Sequence, residues 1–469
     1  MNTKSANIVK LFRQLLPSPF TIAILLTVLT FILALVFCKP GDASTMNYSW
    51  QLIQDWQENL WDKSGGGLYF AFQMMLMLVL GHVLALTPLV NALINKLLVY
   101  CVDTKSSVVF VSFFTILMGL FNWGLGLIFG AILARSIGEK FAKSNQPINY
   151  GLVGAAAYLG LMVWHGGISG SAPTKVMEEG YLQELMQGSF ATASAAVPST
   201  IPFEDTIGSG MNIFVSLIVL LVFPLVCYLL AKNKSNEGIP YFEKLNSAVS
   251  KDTPTEKASG AEKLDRSALV GQSIGLFFLA VACITAINYE GVSAFGFINP
   301  NFINFILLGM GLLFHKTIIV FLGAVQQAIG DISGILIQFP LYFGILGLMK
   351  SSGLIVLFSD FLIQHATEFT LPIYTFLSAG LVNFFVPSGG GQWAIQGPII
   401  LQAASELNAS APKTIMALAY GDQLTNMLQP FWALPLLGIT QLKAHQILPY
   451  TFVFFIIGVL IYGSALLLF

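Results

Sequence analysis

Nothing constrains this chain as strongly as its apolar stretches of about 20 residues, which recur from end to end. A segment of that length can cross the hydrocarbon core of a bilayer as one helix. Such stretches lie at 19–37, 67–95, 150–172, 211–231, 269–287, 300–315, 334–350, 411–437 and 447–468. Of the 469 residues only 10% are charged, and mean hydropathy is +0.76. A soluble domain carries about 25% charged residues, so water-facing domains are excluded. A spanning segment must satisfy its backbone internally, which favours helices. The expected fold class is an all-α integral membrane protein with about ten transmembrane helices.

The formal net charge of −1 argues against nucleic acid as a partner. Cys38, Cys101, Cys227 and Cys283 form no CxxC and read as small core residues rather than zinc ligands or disulfides. Lys4, Lys10 and Arg13 precede the first apolar run, which ends at Lys39-Pro40 without a small-x-small cleavage site. That run therefore reads as a retained first helix rather than a signal peptide.

Basic residues set the orientation. Lys4, Lys10 and Arg13 put the N-terminus in the cytoplasm, and Asp42, Asp55, Glu58 and Asp62 mark the connection 38–66 as outside. Lys96 and Lys105 then mark the cytoplasm before the stretch 107–134, and Arg135, Lys140 and Lys143 mark it again afterwards. One crossing cannot begin and end on the same side. The break at Asn122-Trp123-Gly124-Leu125-Gly126 divides this stretch into arms of roughly half a span each, which predicts a re-entrant helical hairpin from the cytoplasm. The acidic segment 173–210 is expected outside, and a polar linker at 232–268 divides the chain into repeats 1–231 and 269–469.

The second half repeats the plan with opposite polarity. Its stretch 371–404 is broken at Val386-Pro387-Ser388-Gly389-Gly390-Gly391, which predicts a second hairpin, entering from outside. Gly119-Leu120-Phe121-Asn122 matches Gly380-Leu381-Val382-Asn383 just before the two breaks. The following helices carry Ser169-Gly170-Ser171 and Thr425-Asn426 at corresponding points. Paired broken segments of opposite topology are the pattern of an inverted-repeat transporter.

Broken helices at membrane depth need protein or a water-filled cavity around them. Their N-termini present free N–H groups and partial positive charge, and glycine lets a backbone approach a ligand closely. The candidate substrate-binding residues are therefore Asn122, Trp123, Gly124, Ser169, Ser171, Asn383, Ser388, Gly389, Gly390, Gly391 and Gln392. Ionisable residues in spans are functional suspects. Asp422, with Thr425, Asn426 and His165, forms the candidate coupling-ion set, and His82 and Asp331 are weaker candidates. No Lys or Arg lies deep in a segment, so an anion would be held by dipoles and hydrogen bonds.

Asn383-Phe384-Phe385-Val386-Pro387-Ser388-Gly389-Gly390-Gly391-Gln392-Trp393-Ala394, running on to Gln396-Gly397-Pro398, resembles the signature of the bacterial short-chain fatty acid transporter family. Leu15-Leu16-Pro17-Ser18-Pro19-Phe20 and Trp164 to Pro173 resemble it too, so that the likeness covers essentially the whole chain. The resemblance implies uptake of butyrate or acetoacetate across the bacterial cytoplasmic membrane, coupled to H⁺ or Na⁺. It also implies membership of an ion transporter superfamily built on paired hairpins and an elevator-type motion. A dicarboxylate carrier or cation antiporter of that superfamily is the alternative. Expected partners are the small carboxylate and membrane lipid, with a second copy of the chain as a candidate dimer partner. No cofactor is expected beyond a candidate bound Na⁺.

An enzyme is disfavoured. His165-Gly166-Gly167 imitates an esterase oxyanion loop, but Gly167-Ile168-Ser169-Gly170-Ser171 misses G-x-S-x-G by its last glycine, and HExxH is absent.

Overall fold

Helix is the only regular backbone structure among the described residues of the computed structural model, which are 19–61, 67–186, 197–231, 260–290, 297–354, 357, 361, 364–383, 389–429 and 432–469. The N-terminal group comprises α1 (Pro19–Phe37), α2 (Thr45–Asn59), α3 (Gly67–Ala85) and α4 (Pro88–Tyr100). The expected single span 67–95 is in fact a bent pair. Pro88 has no N–H to continue the helix, and the Thr87 side chain caps α4 by accepting from Val90 N–H. The axes of the two helices diverge by 59°.

Next come α5 (Thr104–Phe121) and α6 (Trp123–Lys143), folded back on each other at Asn122. A Cβ on Gly126 would lie 2.7 Å from Gly119 Cα, and one on Gly130 would lie 2.8 Å from Thr115 Oγ1. Those pairs keep a constant residue sum, as antiparallel arms require. Both arms end at one side. Lys140 Nζ donates to Leu98 O and Cys101 O at 2.6 and 2.8 Å, and Asn149 N donates to Thr104 Oγ1 at 3.2 Å. The arms are 18 and 21 residues long, about 27 and 31 Å at 1.5 Å per residue. They exceed the half-spans expected from 107–134, because helix continues into the polar Thr104 and Lys143 ends.

The expected span 150–172 is not one helix. It divides into α7 (Tyr150–Ala157), the 3₁₀ turns Leu159–Met162 and Trp164–Gly166, and a short α8 (Ser171–Lys175). The segment that follows adds α9 (Tyr181–Leu185) before α10 (Gly210–Leu230). Trp393 packs with Ala172, Val176, Leu182 and Ile201 from this segment, and its Nε1 donates to Tyr181 Oη at 3.0 Å. The expected linker 232–268 lies largely outside the described residues; α11 (Glu262–Asp265) and the start of α12 (Ala268–Ile287) fall at its end.

The rest of the chain forms α13 (Pro300–His315), α14 (Ile318–Ala328), α15 (Ser333–Ser352), α16 (Leu371–Asn383), α17 (Gly389–Glu406), α18 (Ala411–Thr425), α19 (Ala433–Thr440) and α20 (Ala444–Leu468). Helices α16 and α17 also run antiparallel: Gln392 Nε2 donates to Ala379 O and Gln396 Nε2 to Ser378 Oγ. The expected span 411–437 is broken after Thr425 by a 3₁₀ turn at Asn426–Leu428.

Burial separates two kinds of helix. Every residue from Thr414 to Thr425 in α18 is buried, as is most of α6. By contrast α1, α10 and α12 expose Leu25, Ile32, Leu217, Leu221, Leu225 and Phe277, as lipid-facing helices do. By length and apolarity, four described helices can cross a bilayer (α5, α10, α12 and α20), or five with the bent pair. Other apolar stretches are interrupted by bends and breaks, as at Thr87-Pro88, within 158–170 and at Asn426–Leu428.

Candidate functional site

The centre of the molecule is where the two antiparallel hairpins meet the two broken segments. Asn122 ends α5 and caps α6: its Oδ1 accepts from Leu125 N–H at 2.8 Å. Trp123 N–H donates to Ser169 Oγ at 3.0 Å, and Ile168 N–H donates to Leu120 O at 2.9 Å. The loop 167–169 thus seals the first tip. An exposed N-terminus ready for an anion was expected there, yet two of its amides are taken by side chains. Ser169 is a helix cap here, and Gly124 packs on α3, where a Cβ would lie 3.1 Å from Leu78 Cα.

The second tip is tied by Asn383. Its Nδ2 donates to Asp422 O at 2.7 Å, Thr425 Oγ1 at 2.9 Å and Asn426 Oδ1 at 3.1 Å. Gln429 Nε2 returns a bond to Asn383 O. Ser388 lies outside the described residues. Gly389, Gly390 and Gly391 open α17 and are buried. Gly389 meets the first half: a Cβ there would lie 2.7 Å from Ser171 Oγ and Trp164 Cη2, and 2.8 Å from His165 Cε1.

His165 and Asp422 are both fully buried and join the two broken segments, with Nδ1 2.5 Å from Asp422 Oδ2. The proton between them can be placed. Ala172 N–H lies 3.1 Å from His165 Nε2, and a backbone amide only donates, so Nε2 is the acceptor. The ring proton is then on Nδ1 and is donated to Asp422. Ser171 Oγ also lies 3.1 Å from Nε2. On this tautomer the imidazole is neutral and its Nδ1–H faces the Asp422 carboxyl group.

Gln423 closes the break in the first segment. Its Oε1 accepts from His165 N–H at 3.0 Å and Gly166 N–H at 3.1 Å. Asn212 Nδ2 donates to Gly166 O at 2.8 Å and Ile207 O at 2.7 Å. Gln423, Asn212, Gln429 and Trp164 are absent from the residues singled out by sequence. Their signal was available, since each is a polar or indole side chain in or beside an apolar stretch next to a break. His82 is buried in α3, and Asp331 falls in the 3₁₀ turn Ile329–Ile332.

Several buried polar atoms at this centre have no hydrogen-bond partner, at a cost of about 1–3 kcal/mol each. They segregate by sign. Around the first tip they are donors: Asn122 Nδ2, Trp123 Nε1 and Trp164 Nε1. Around the second they are oxygens: Asn383 Oδ1, Gln392 Oε1 and Gln429 Oε1. The amide orientations are not arbitrary. Asn122 Oδ1 faces a backbone N–H, while the Asn383, Gln392 and Gln429 amide nitrogens each face a backbone carbonyl. One side can satisfy an anion and the other a cation.

A family model described as short chain fatty acid transporter matches residues 1–469. A protein of Escherichia coli strain K12, named provisionally as a short-chain fatty acid transporter, is 35% identical over 438 residues, covering 93% of this chain and 92% of its own length. A likewise named protein of Haemophilus influenzae is 33% identical over 449 residues, with 92% of both chains covered. Among solved structures, the YdaH transporter of Alcanivorax borkumensis matches with a TM-score of 0.51 at 15% identity, over 96% of this chain and 98% of that one. MtrF of Neisseria gonorrhoeae, described as illuminating a class of antimetabolite efflux pumps, matches with a TM-score of 0.51 at 16% identity, over 97% of both chains. The two structures speak to the fold alone.

Proposed function

Because the chain belongs to the short-chain fatty acid transporter family, and is thus a multi-pass membrane transport protein rather than an enzyme, we propose that it carries short monocarboxylates such as butyrate or acetoacetate across the bacterial cytoplasmic membrane, coupled to H⁺ or Na⁺. The observation that carries this reading is the segregation of buried unpartnered donors at one hairpin tip and oxygens at the other. A carboxylate and a cation are the complementary occupants. The Asp422–His165 dyad supplies the negative charge on the cation side, beside Thr425 and Asn426 at the break of α18. Asn383 and Gln392 fall on that side as well, since their amide nitrogens are already engaged by the protein.

A dicarboxylate would require compensation of a second negative charge, and no Lys or Arg is among the described side chains shown hydrogen-bonded at the two tips. That favours a monocarboxylate. Counterflow of labelled butyrate, succinate and sodium in proteoliposomes tests the substrate class. Exchange of butyrate alone is expected; exchange of succinate at a comparable rate would replace this reading with the dicarboxylate carrier.

The layout proposed is two inverted repeats, each a re-entrant hairpin followed by a broken span. Support comes from the repeated tie between tip and break: Trp123 N–H to Ser169 Oγ in one half, and Asn383 Nδ2 to Thr425 Oγ1 in the other. The N-terminus is assigned to the cytoplasm by its basic residues. Gln146 and Ser410 follow the first and second hairpins and are both exposed. Single cysteines at these positions should react with an impermeant maleimide from the cytoplasmic and outer sides respectively. Labelling of both from one side would remove the inverted arrangement.

A further inference from the structure

We infer that the substrate carboxylate is held by the indole N–H groups of Trp123 and Trp164, an assignment that rests on the transport reading above. Trp123 is 4% exposed and Trp164 7%, and neither Nε1 has a partner. An indole N–H only donates, and buried indoles normally find an acceptor. Four side-chain acceptors near them already take other donors. Ser169 Oγ takes Trp123 N–H, Asn122 Oδ1 takes Leu125 N–H, Gln423 Oε1 takes two amides, and His165 Nε2 takes Ala172 N–H.

The two rings are held close and in place. Their centroids are 6.0 Å apart. Trp164 stacks on His165 at 4.5 Å with 16° between planes, and Trp123 meets Trp432 edge-on at 5.1 Å. Two fixed donors suit the two oxygens of one carboxylate, and Asn122 Nδ2 supplies a third donor one residue away. Hydrogen bonds to an ionised acceptor are roughly twice as strong as neutral ones, so this pair can bind an anion without a cationic side chain. The indole faces provide the apolar surface that a short acyl chain requires. The imidazole of His165 contacts both groups, Trp164 at its ring face and Asp422 at its Nδ1 edge.

The test is binding of labelled butyrate to the full-length protein in nanodiscs. Trp164→Phe and Trp123→Phe keep a ring and remove the N–H, and each should raise the Kd about tenfold or more. Trp50→Phe, at a 60% exposed position, should leave it unchanged. Equal affinity within twofold in both site variants would overturn the assignment. Wild-type protein carrying ¹⁵N-labelled tryptophan gives a measurement independent of variant folding. Two indole N–H signals, identified as those missing from the Phe variants, should move downfield with butyrate and stay put with the neutral analogue butanol. Butyrate binding that moves neither signal overturns the assignment while leaving the transport reading intact. If the wild type binds no short monocarboxylate at all, the transport reading fails and this assignment falls with it.

Discussion

Asp422→Asn should abolish accumulation of substrate against its gradient while retaining exchange of labelled substrate across the membrane. The replacement preserves shape, and Asn Oδ1 can still accept the proton that His165 Nδ1 donates at 2.5 Å. What disappears is the charge. A hydrogen bond to a charged group contributes about 1.5–3 kcal/mol, against 0.5–1.5 for a neutral one, so folding should weaken by only about 1 kcal/mol. Coupling depends on the charge itself, because a cation gradient drives the substrate only if the two occupants stabilise each other. Without the carboxylate the cation side retains neutral oxygens alone. Concentrative uptake should therefore fall at least a hundredfold, while counterflow stays within about tenfold of wild type. In the wild type, dependence on sodium at fixed pH would identify Na⁺, and dependence on the pH gradient without sodium would identify H⁺. A variant that accumulates substrate as well as wild type would make Asp422 structural.

Gly389→Ala should slow transport at least tenfold with little loss of assembled protein. Its Cβ would lie 2.7 Å from Ser171 Oγ and Trp164 Cη2 and 2.8 Å from His165 Cε1, closer than van der Waals contact permits. Those neighbours cannot easily give way. His165 is held by Asp422, Ala172 and Gln423, and Trp164 lies flat against it. The second hairpin must then retreat from the first. Overpacking of this kind costs about 1–3 kcal/mol, which a polytopic protein can survive. A displacement of about 1 Å where two halves enclose a small ligand costs far more in function, and both uptake and counterflow should fall at least tenfold. Gly389→Val should abolish them. Gly438→Ala, where a Cβ would meet nothing within 4 Å, is the matched control. Normal counterflow in Gly389→Ala would show that the close approach of the hairpins serves packing alone.

The sequence by itself determined the class of this protein. Apolar stretches near 20 residues and a shortage of charge leave helices in a bilayer as the only way to satisfy the backbone. The chain also announced its breaks: Asn122 and the Gly389-Gly390-Gly391 run interrupt apolar stretches, and Asp422 and His165 stand out because buried ionisable groups are costly. The extents of the spans were less legible. Thr87-Pro88 bends what reads as one helix, and the segment 150–172 can divide into 3₁₀ turns because Gln423 Oε1 accepts from its free His165 and Gly166 N–H groups and Asn212 Nδ2 donates to its Gly166 carbonyl.

Only the tertiary structure decided which of these features meet. Sequence separation says nothing about a contact 257 positions apart, yet His165 and Asp422 share one proton across the two halves. Ser169 reads in the sequence as a ligand-binding hydroxyl, and the fold makes its oxygen accept from Trp123 N–H, which ties the first tip to the broken segment. Three adjacent glycines are equivalent as a run, and the fold brings Trp164 and His165 against Gly389. The sign of each amide was equally hidden. Asn and Gln carry a donor and an acceptor alike, and only the backbone group opposite each one settles which is left for a ligand.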